Sequence, residues 1–139
     1  MRTFEQLGVE PRLLRAINEL GFEYPMPIQE MVIPHLLEKD GDVVGLAQTG
    51  TGKTAAFGLP VLQRIDTSEN VPQALIIAPT RELCLQIAGD LADFAKYVDN
   101  LRILPVYGGS SIDSQIRSLR KGVQVIVATP GRLIDLIKR

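Results

Sequence analysis

The sequence predicts an α/β domain built on a mostly parallel sheet, and three observations carry that prediction. Short apolar runs alternate with longer stretches whose apolar residues recur at helical spacing. Most runs are closed by a Gly, Pro or Thr just before the next helical stretch begins. One run leads directly into a glycine-rich turn that ends Gly52-Lys53-Thr54. That combination of strand, tight turn and helix is the setting in which such a turn acquires chemical meaning.

The elements follow in order. Pro11 to Leu20 is predicted as a helix, with proline in its first turn, Leu13, Leu14, Ile17 and Leu20 on one face, and Gly21 as the stop. A second helix begins at Pro27 and is disturbed by Pro34. Asp42-Val43-Val44-Gly45-Leu46 is long enough for one buried strand. Lys53 to Ile65 carries Phe57, Val61 and Ile65 at helical spacing. Asp66 to Pro72 is a polar connector, and Ala74 to Ala78 a buried strand. Arg81 to Val98 is the strongest helix, striped by Leu83, Ile87, Leu91, Phe94 and Val98. Arg102 to Tyr107 gives a third strand, closed by Gly108-Gly109. Ser110 or Ser111 caps a helix through about Lys121. Val123 to Ala128 is the fourth strand, and a last helix starts at Pro130.

The most informative stretch is Ala47-Gln48-Thr49-Gly50-Thr51-Gly52-Lys53-Thr54. Gly50 and Gly52 let the backbone turn tightly and aim N–H groups into a nest for phosphate oxygens. The positive end of the following helix adds to that attraction. Lys53 would reach the β- and γ-phosphates as a point charge, and the Thr54 hydroxyl would ligate Mg²⁺. Ala47 occupies the place where the general pattern G-x-x-x-x-G-K-[ST] has its first glycine. A glycine-rich turn without a ligand is the plain alternative.

Composition narrows the classes. The chain has 139 residues, of which 45% are hydrophobic, which fits one folded domain with an ordinary core. The longest apolar runs are too short to span a bilayer, and Met1 to Glu5 has no apolar signal-peptide core. The single cysteine, Cys84, excludes an internal disulfide framework and fits a reducing, cytoplasmic setting. Net charge is −1, divided unevenly: residues 1–102 carry a balance of −5 and residues 103–139 one of +4. A basic terminal third suits phosphate, although solvated helix faces explain the same count.

Four further segments stand in a fixed order around the glycine-rich turn. Gly21 to Gln29 precedes it, with the lone aromatic Phe4 placed 17 positions before Gly21. Pro79-Thr80-Arg81-Glu82-Leu83 closes the second strand, Gly108-Gly109 the third, and Thr129-Pro130-Gly131-Arg132 the fourth. Together these segments resemble the DEAD-box family of ATP-dependent RNA helicases, over residues 4 to about 137. The resemblance implies a RecA-like P-loop fold, a three-layer α/β sandwich, with residues 1–139 forming part of its first domain. It also implies ATP and Mg²⁺ as cofactors and RNA as a partner, held through its backbone and so without sequence preference.

By that resemblance Gln29 reads adenine, whose donor and acceptor edge a glutamine amide can match. Phe4 is its stacking partner, in a recognition segment spanning 4–29. Met26 stands where the family usually has threonine, which removes a hydroxyl that ties this segment to the phosphate loop. Ala47 to Thr54 bind the phosphates, with Lys53 and Thr54 the catalytic pair. Pro79, Thr80, Arg81, Gly108, Gly109, Thr129, Gly131 and Arg132 hold one RNA strand. Pro-Thr, Thr-Pro-Gly and Gly-Gly are equally good helix-start and turn sequences in their own right. Glu82 is read as stabilising its helix start, His35 as packing or surface, and Cys84 as a small packed side chain.

The acidic segment that completes the family's ATPase site does not occur in these 139 residues. The resemblance places it, and a second RecA-like domain, beyond Arg139. The strand before the phosphate loop would then lack sheet neighbours, which exposes backbone groups and invites strand-exchanged self-association. Two other functions stay open: an ATP- and RNA-contacting chain without catalysis, and an unrelated P-loop kinase acting on a metabolite.

Overall fold

A computed structural model of the chain describes residues 2–38, 42–45, 52–109 and 111–138. It is organised as two compact units, residues 1–64 with 93–98, and residues 65–92 with 99–139. Among the described residues no helix is long and apolar enough to cross a membrane.

In the first unit, α1 (Pro11–Glu19) starts at its proline and buries Leu13, Ala16 and Ile17. The expected stripe is shifted: Leu20 is exposed, and Ala16 takes the inner position instead. Gly21, at φ +89°, turns the chain in a conformation that favours glycine. Helix α2 (Pro27–Glu38) continues through Pro34 and packs on α3 (Lys53–Arg64). Pro60 likewise lies within α3. The buried face of α3 is made by Ala55, Ala56, Gly58, Leu59, Pro60 and Leu62. The larger residues Phe57, Val61 and Ile65, expected on the inner stripe, are only half-buried. Small residues at a helix contact let the two axes approach, which puts the bulkier ones at its margins.

The N-terminal segment is fastened to this helical layer. Gln63 accepts the Glu10 N–H (3.0 Å) and donates to the Gly8 carbonyl (2.9 Å). Glu19 on α1 takes the Lys96 ammonium at 2.9 Å and a short hydrogen bond from the Tyr97 hydroxyl. Those two donors hold the Glu19 carboxyl below its ordinary pKa. The Arg15 guanidinium lies 4.0 Å from the Tyr97 ring centroid, which closes the cluster.

One expected element is not formed. Asp42–Gly45 adopts no strand and is exposed, with Val44 at 85%; Leu46 lies outside the described residues. An apolar run becomes a buried strand only where neighbours accept and supply its backbone hydrogen bonds. Among the described residues the sheet has three strands, none of them from 42–45.

The second unit holds that sheet. Strands β1 (Ala74–Ile77), β2 (Ile103–Val106) and β3 (Val125–Ala128) are all parallel, in the order β1-β3-β2. The register aligns Ile77 with Ala128 and Ala128 with Val106, so all three strands end level. Central β3 has Val125, Val127 and Ala128 fully buried. Edge strand β1 was expected to be buried throughout, but it alternates: Leu75 is 51% and Ile77 58% exposed. Alternate residues of a strand face opposite sides of a sheet, and only one side of β1 is covered.

Helix α4 (Arg81–Phe94) ends four residues earlier than its periodicity suggested, in turns through Tyr97. Its inner position is held by Cys84, while Leu83 is 38% exposed. Helix α5 (Ile112–Lys121) is capped by Ser111, whose hydroxyl accepts the Ser114 N–H at 3.3 Å. Helix α6 (Pro130–Ile137) follows β3.

At the opposite end of the sheet, fully buried Gln124 knots three loops. Its Oε1 accepts the Arg102 N–H at 2.8 Å, and its Nε2 donates to the carbonyls of Glu69 and Asn100 and to Asn70 Oδ1. Beside it Gly122, at φ +100°, has no room for a side chain: a Cβ would lie 2.7 Å from the Asn70 Cβ. Gln124→Leu keeps the volume but removes the part-buried bonds to the Arg102 N–H, the Glu69 and Asn100 carbonyls and Asn70 Oδ1. We expect it to cost about 2–4 kcal/mol. Urea denaturation checks this, and an unshifted midpoint would show that the knot is dispensable.

Candidate nucleotide and nucleic-acid contacts

The nucleotide-side residues belong to the first unit. Ala47, Gln48, Thr49, Gly50 and Thr51 lie outside the described residues. Gly52 enters α3 at φ +83°, a conformation that favours glycine. Lys53 and Thr54 then occupy the first turn of α3, Lys53 exposed and Thr54 half-buried. The helix start supplies free N–H groups and a positive dipole end to the same spot, which suits an anion.

Gln29 comes to this loop in a specific way. It is 3% exposed; its Oε1 accepts the Met26 N–H at 2.8 Å and its Nε2 donates to the Gly52 carbonyl at 3.2 Å. A Cβ added at Gly52 would collide with Gln29 Nε2 and lie 3.1 Å from Met26 Sδ. The segment carrying Met26 is therefore still tied to the loop, through Gln29 and without a threonine hydroxyl. The amide oxygen has a second lone pair and the amide nitrogen a second N–H beyond these two bonds.

Phe4 lies in the core of the first unit. It is 3% exposed, with its ring centroid 6.1 Å from that of Phe22, which meets Phe94 edge-on at 5.9 Å. This is core packing, and stacking on a base would require the ring to leave it. His35 sits half-buried in the last turn of α2. Among the described residues no group of three His, Cys, Asp or Glu side chains could hold a metal ion.

The remaining candidates gather in the second unit. Because the three parallel strands end level, the segments after them share one edge of the sheet. Backbone bonds continue the alignment past the strands: the Ala78 N–H reaches the Ala128 carbonyl, and the Thr129 N–H the Val106 carbonyl, both at 2.9 Å. Pro79-Thr80-Arg81, Gly108-Gly109 and Thr129-Pro130-Gly131-Arg132 are thus neighbours despite their separation in sequence. The carboxyl edge of such a sheet is where open α/β folds bind ligands.

Each residue there has a definite partner or opening. Thr80 Oγ1 accepts the Leu83 N–H at 3.1 Å, capping α4, while exposed Glu82 lies in its acidic first turn. Thr129 begins α6 without a side-chain cap bond. Gly108 and Gly131 have no atom within 4 Å of where a Cβ would stand, so a ligand backbone can approach closely. Gly109 lies at φ +87°, and a Cβ there would meet the Arg81 guanidinium at 3.5 Å. Exposed Arg81 sits 5.0 Å from the centroid of the Tyr107 ring. Half-buried Arg132 donates from Nη1 to Gln115 Oε1 at 3.0 Å, and Gln115 Nε2 donates to the Tyr107 carbonyl at 3.2 Å. The sequence reading named the two arginines but missed Tyr107 and Gln115. Tyr107 carried one signal, an aromatic at the strand end before Gly-Gly; Gln115 carried none.

Cys84 lies under this edge, fully buried, with Sγ 3.1 Å from the Val127 carbonyl. Burial raises its thiol pKa, outweighing the weak hydrogen bond to Val106. A raised thiol pKa keeps the reactive thiolate scarce until the pH rises well above the ordinary value. We expect native protein to resist iodoacetamide at pH 8 and to alkylate promptly once unfolded in urea. Rapid labelling of the native chain would contradict this placement.

Comparison with known proteins identifies the family. The sequence pattern of the DEAD/DEAH box helicases matches residues 26–139. The chain is 53% identical over 137 residues to the ATP-dependent RNA helicase DeaD of Haemophilus influenzae, and 51% identical to that of Escherichia coli. In both cases 99% of this chain is covered, and it spans 22% of the relative's length. Among solved structures, a Saccharomyces cerevisiae Dbp5 variant bound to RNA and ADP BeF3 superposes with a TM-score of 0.87 at 34% identity. That match covers all of this chain and 34% of the other. Yeast Prp28, a DEAD-box splicing factor, gives 0.88 at 38% identity over 99% of this chain and 34% of its own. With residues 26–139 matched by the family pattern and relatives about half identical over nearly the whole chain, the chain belongs to the DEAD/DEAH box helicases and corresponds to the N-terminal part of their first RecA-like domain.

Proposed function

We propose that this chain is the nucleotide- and RNA-contacting part of an ATP-dependent RNA helicase that acts by local strand separation. One observation carries the RNA side: the level strand ends bring Arg81 and Arg132 to one edge, with open glycines among them. Guanidinium groups, helix-start N–H groups and side-chain-free backbone suit phosphodiester oxygens and leave bases unread. Pro79, Thr80, Gly108, Gly109, Thr129 and Gly131 complete that surface. A cytoplasmic setting accords with the single unpaired cysteine.

On the nucleotide side, Lys53 and Thr54 at the start of α3 fit a phosphate chain with its cation. Lys53 supplies positive charge to the β- and γ-phosphates, and the Thr54 hydroxyl is the protein oxygen for Mg²⁺. Bound Mg²⁺ would neutralise charge developing on the phosphoryl group. Gln29 donates to the Gly52 carbonyl and is the group we assign to adenine. The buried ring of Phe4 supports a packing role ahead of a stacking one.

For the 139 residues alone we favour binding without turnover, because the acidic partner of the cradle is not in this sequence. A labelled single-stranded RNA should bind with marked salt dependence. Arg81→Ala should weaken all RNA sequences alike and lower the salt slope by about one. ATP turnover should stay at background with or without RNA. Robust RNA-stimulated turnover would overturn the binding-only version, and phosphoryl transfer to a metabolite would revive the kinase reading. Exposed Val44, Leu75 and Ile77 favour self-association as well. Sedimentation should show weight-average mass rising with concentration, and a monomer throughout would exclude it.

A further inference from the structure

Two arginines at the carboxyl edge of the sheet are held from a single residue between them. The Tyr107 ring lies under the Arg81 guanidinium, and the Tyr107 carbonyl accepts from Gln115 Nε2. Gln115 Oε1 in turn accepts from Arg132 Nη1 at 3.0 Å. Gln115 is 5% exposed and comes from α5, an element that carries none of the expected RNA contacts. Both of its amide groups are committed to this edge, one to the strand end and one to the guanidinium.

Such an arrangement does more than fill space. An arginine side chain has several rotatable bonds and loses much freedom when it is fixed. A guanidinium that donates to a neutral acceptor is oriented without being neutralised by that acceptor. A carboxylate in the same place would orient it equally well but neutralise it. A glutamine amide meets both needs: its oxygen takes the guanidinium and its nitrogen ties the assembly to the backbone beside Gly108.

We propose that Gln115 is a positioning residue for RNA binding, which acts by presetting Arg132 against the Tyr107–Gly108 strand end. This inference rests on the RNA reading of that edge. It predicts that the effect of Gln115 on RNA passes through Arg132 and is absent without it.

A double-mutant cycle on the 139-residue chain, with a labelled oligouridylate as probe, tests this directly. Gln115→Leu keeps side-chain volume, while Gln115→Ala favours the helix and leaves a gap; both remove the amide. Each should weaken RNA binding about 3- to 10-fold, the worth of one such hydrogen bond. Arg132→Ala should weaken it at least as much, and either double variant should bind no worse than Arg132→Ala alone. Thermal unfolding of each variant, measured alongside, separates loss of fold from loss of affinity. If Gln115 and Arg132 effects multiply, or folded Gln115 variants bind like wild type, Gln115 is structural and the inference fails. If Arg132→Ala leaves RNA affinity unchanged, the RNA reading of this edge falls, and this inference with it.

Discussion

The parallel pairing of β3 between β1 and β2 is the constraint on which the carboxyl edge of the sheet depends. Parallel strands in register must end on the same side, and each must leave through a crossover helix. The chain therefore delivers three separate strand-to-helix junctions to one line. Residues 79–81, 107–109 and 129–132 meet there for that reason, and not because any of them attracts another. The full burial of Val125 and Val127 fixes β3 in the middle, since moving it would expose the most apolar part of the unit.

Around that frame, glutamine side chains do much of the fastening. Gln29 ties the 26–29 segment to Gly52, Gln63 ties α3 to the N-terminal segment, and Gln73 closes the loop after Asp66. Gln115 joins β2 to Arg132, and Gln124 knots three loops. A neutral amide offers a donor and an acceptor on a long stem, so it can satisfy backbone groups without burying a charge. Among the described residues no buried side-chain nitrogen or oxygen lacks a partner. Two of these ties lie at the groups proposed above to meet ligands: Gln29 holds Gly52, and Gln115 holds Arg132.

The places where sequence patterning misled share one cause. Periodicity reports which residues want burial, and it is silent about what is available to bury them. Val43 and Val44 have the composition of a strand, yet Asp42–Gly45 forms none and is exposed. Leu75 and Ile77 read as fully buried, yet β1 is an edge strand covered on one side. On α4 the inner position goes to Cys84, because helix orientation is set by the sheet beneath and not by the largest side chains. Spacing along the chain is likewise silent about the packing of Phe4 on Phe22.

By itself, the sequence determined the class of fold, the position of nearly every helix and strand, and the set of motifs that mark a nucleotide and RNA protein. Those features are local: a glycine-rich turn, a proline at a helix start and an apolar run act through neighbouring residues and a few bonds. Only the tertiary structure decided which junctions lie side by side, which arginine is stacked and which is clasped, and that Tyr107 and Gln115 stand between them. These depend on strand register and on backbone carbonyls brought together from distant parts of the chain. A carbonyl is the same in every residue, so no side-chain pattern could have announced it.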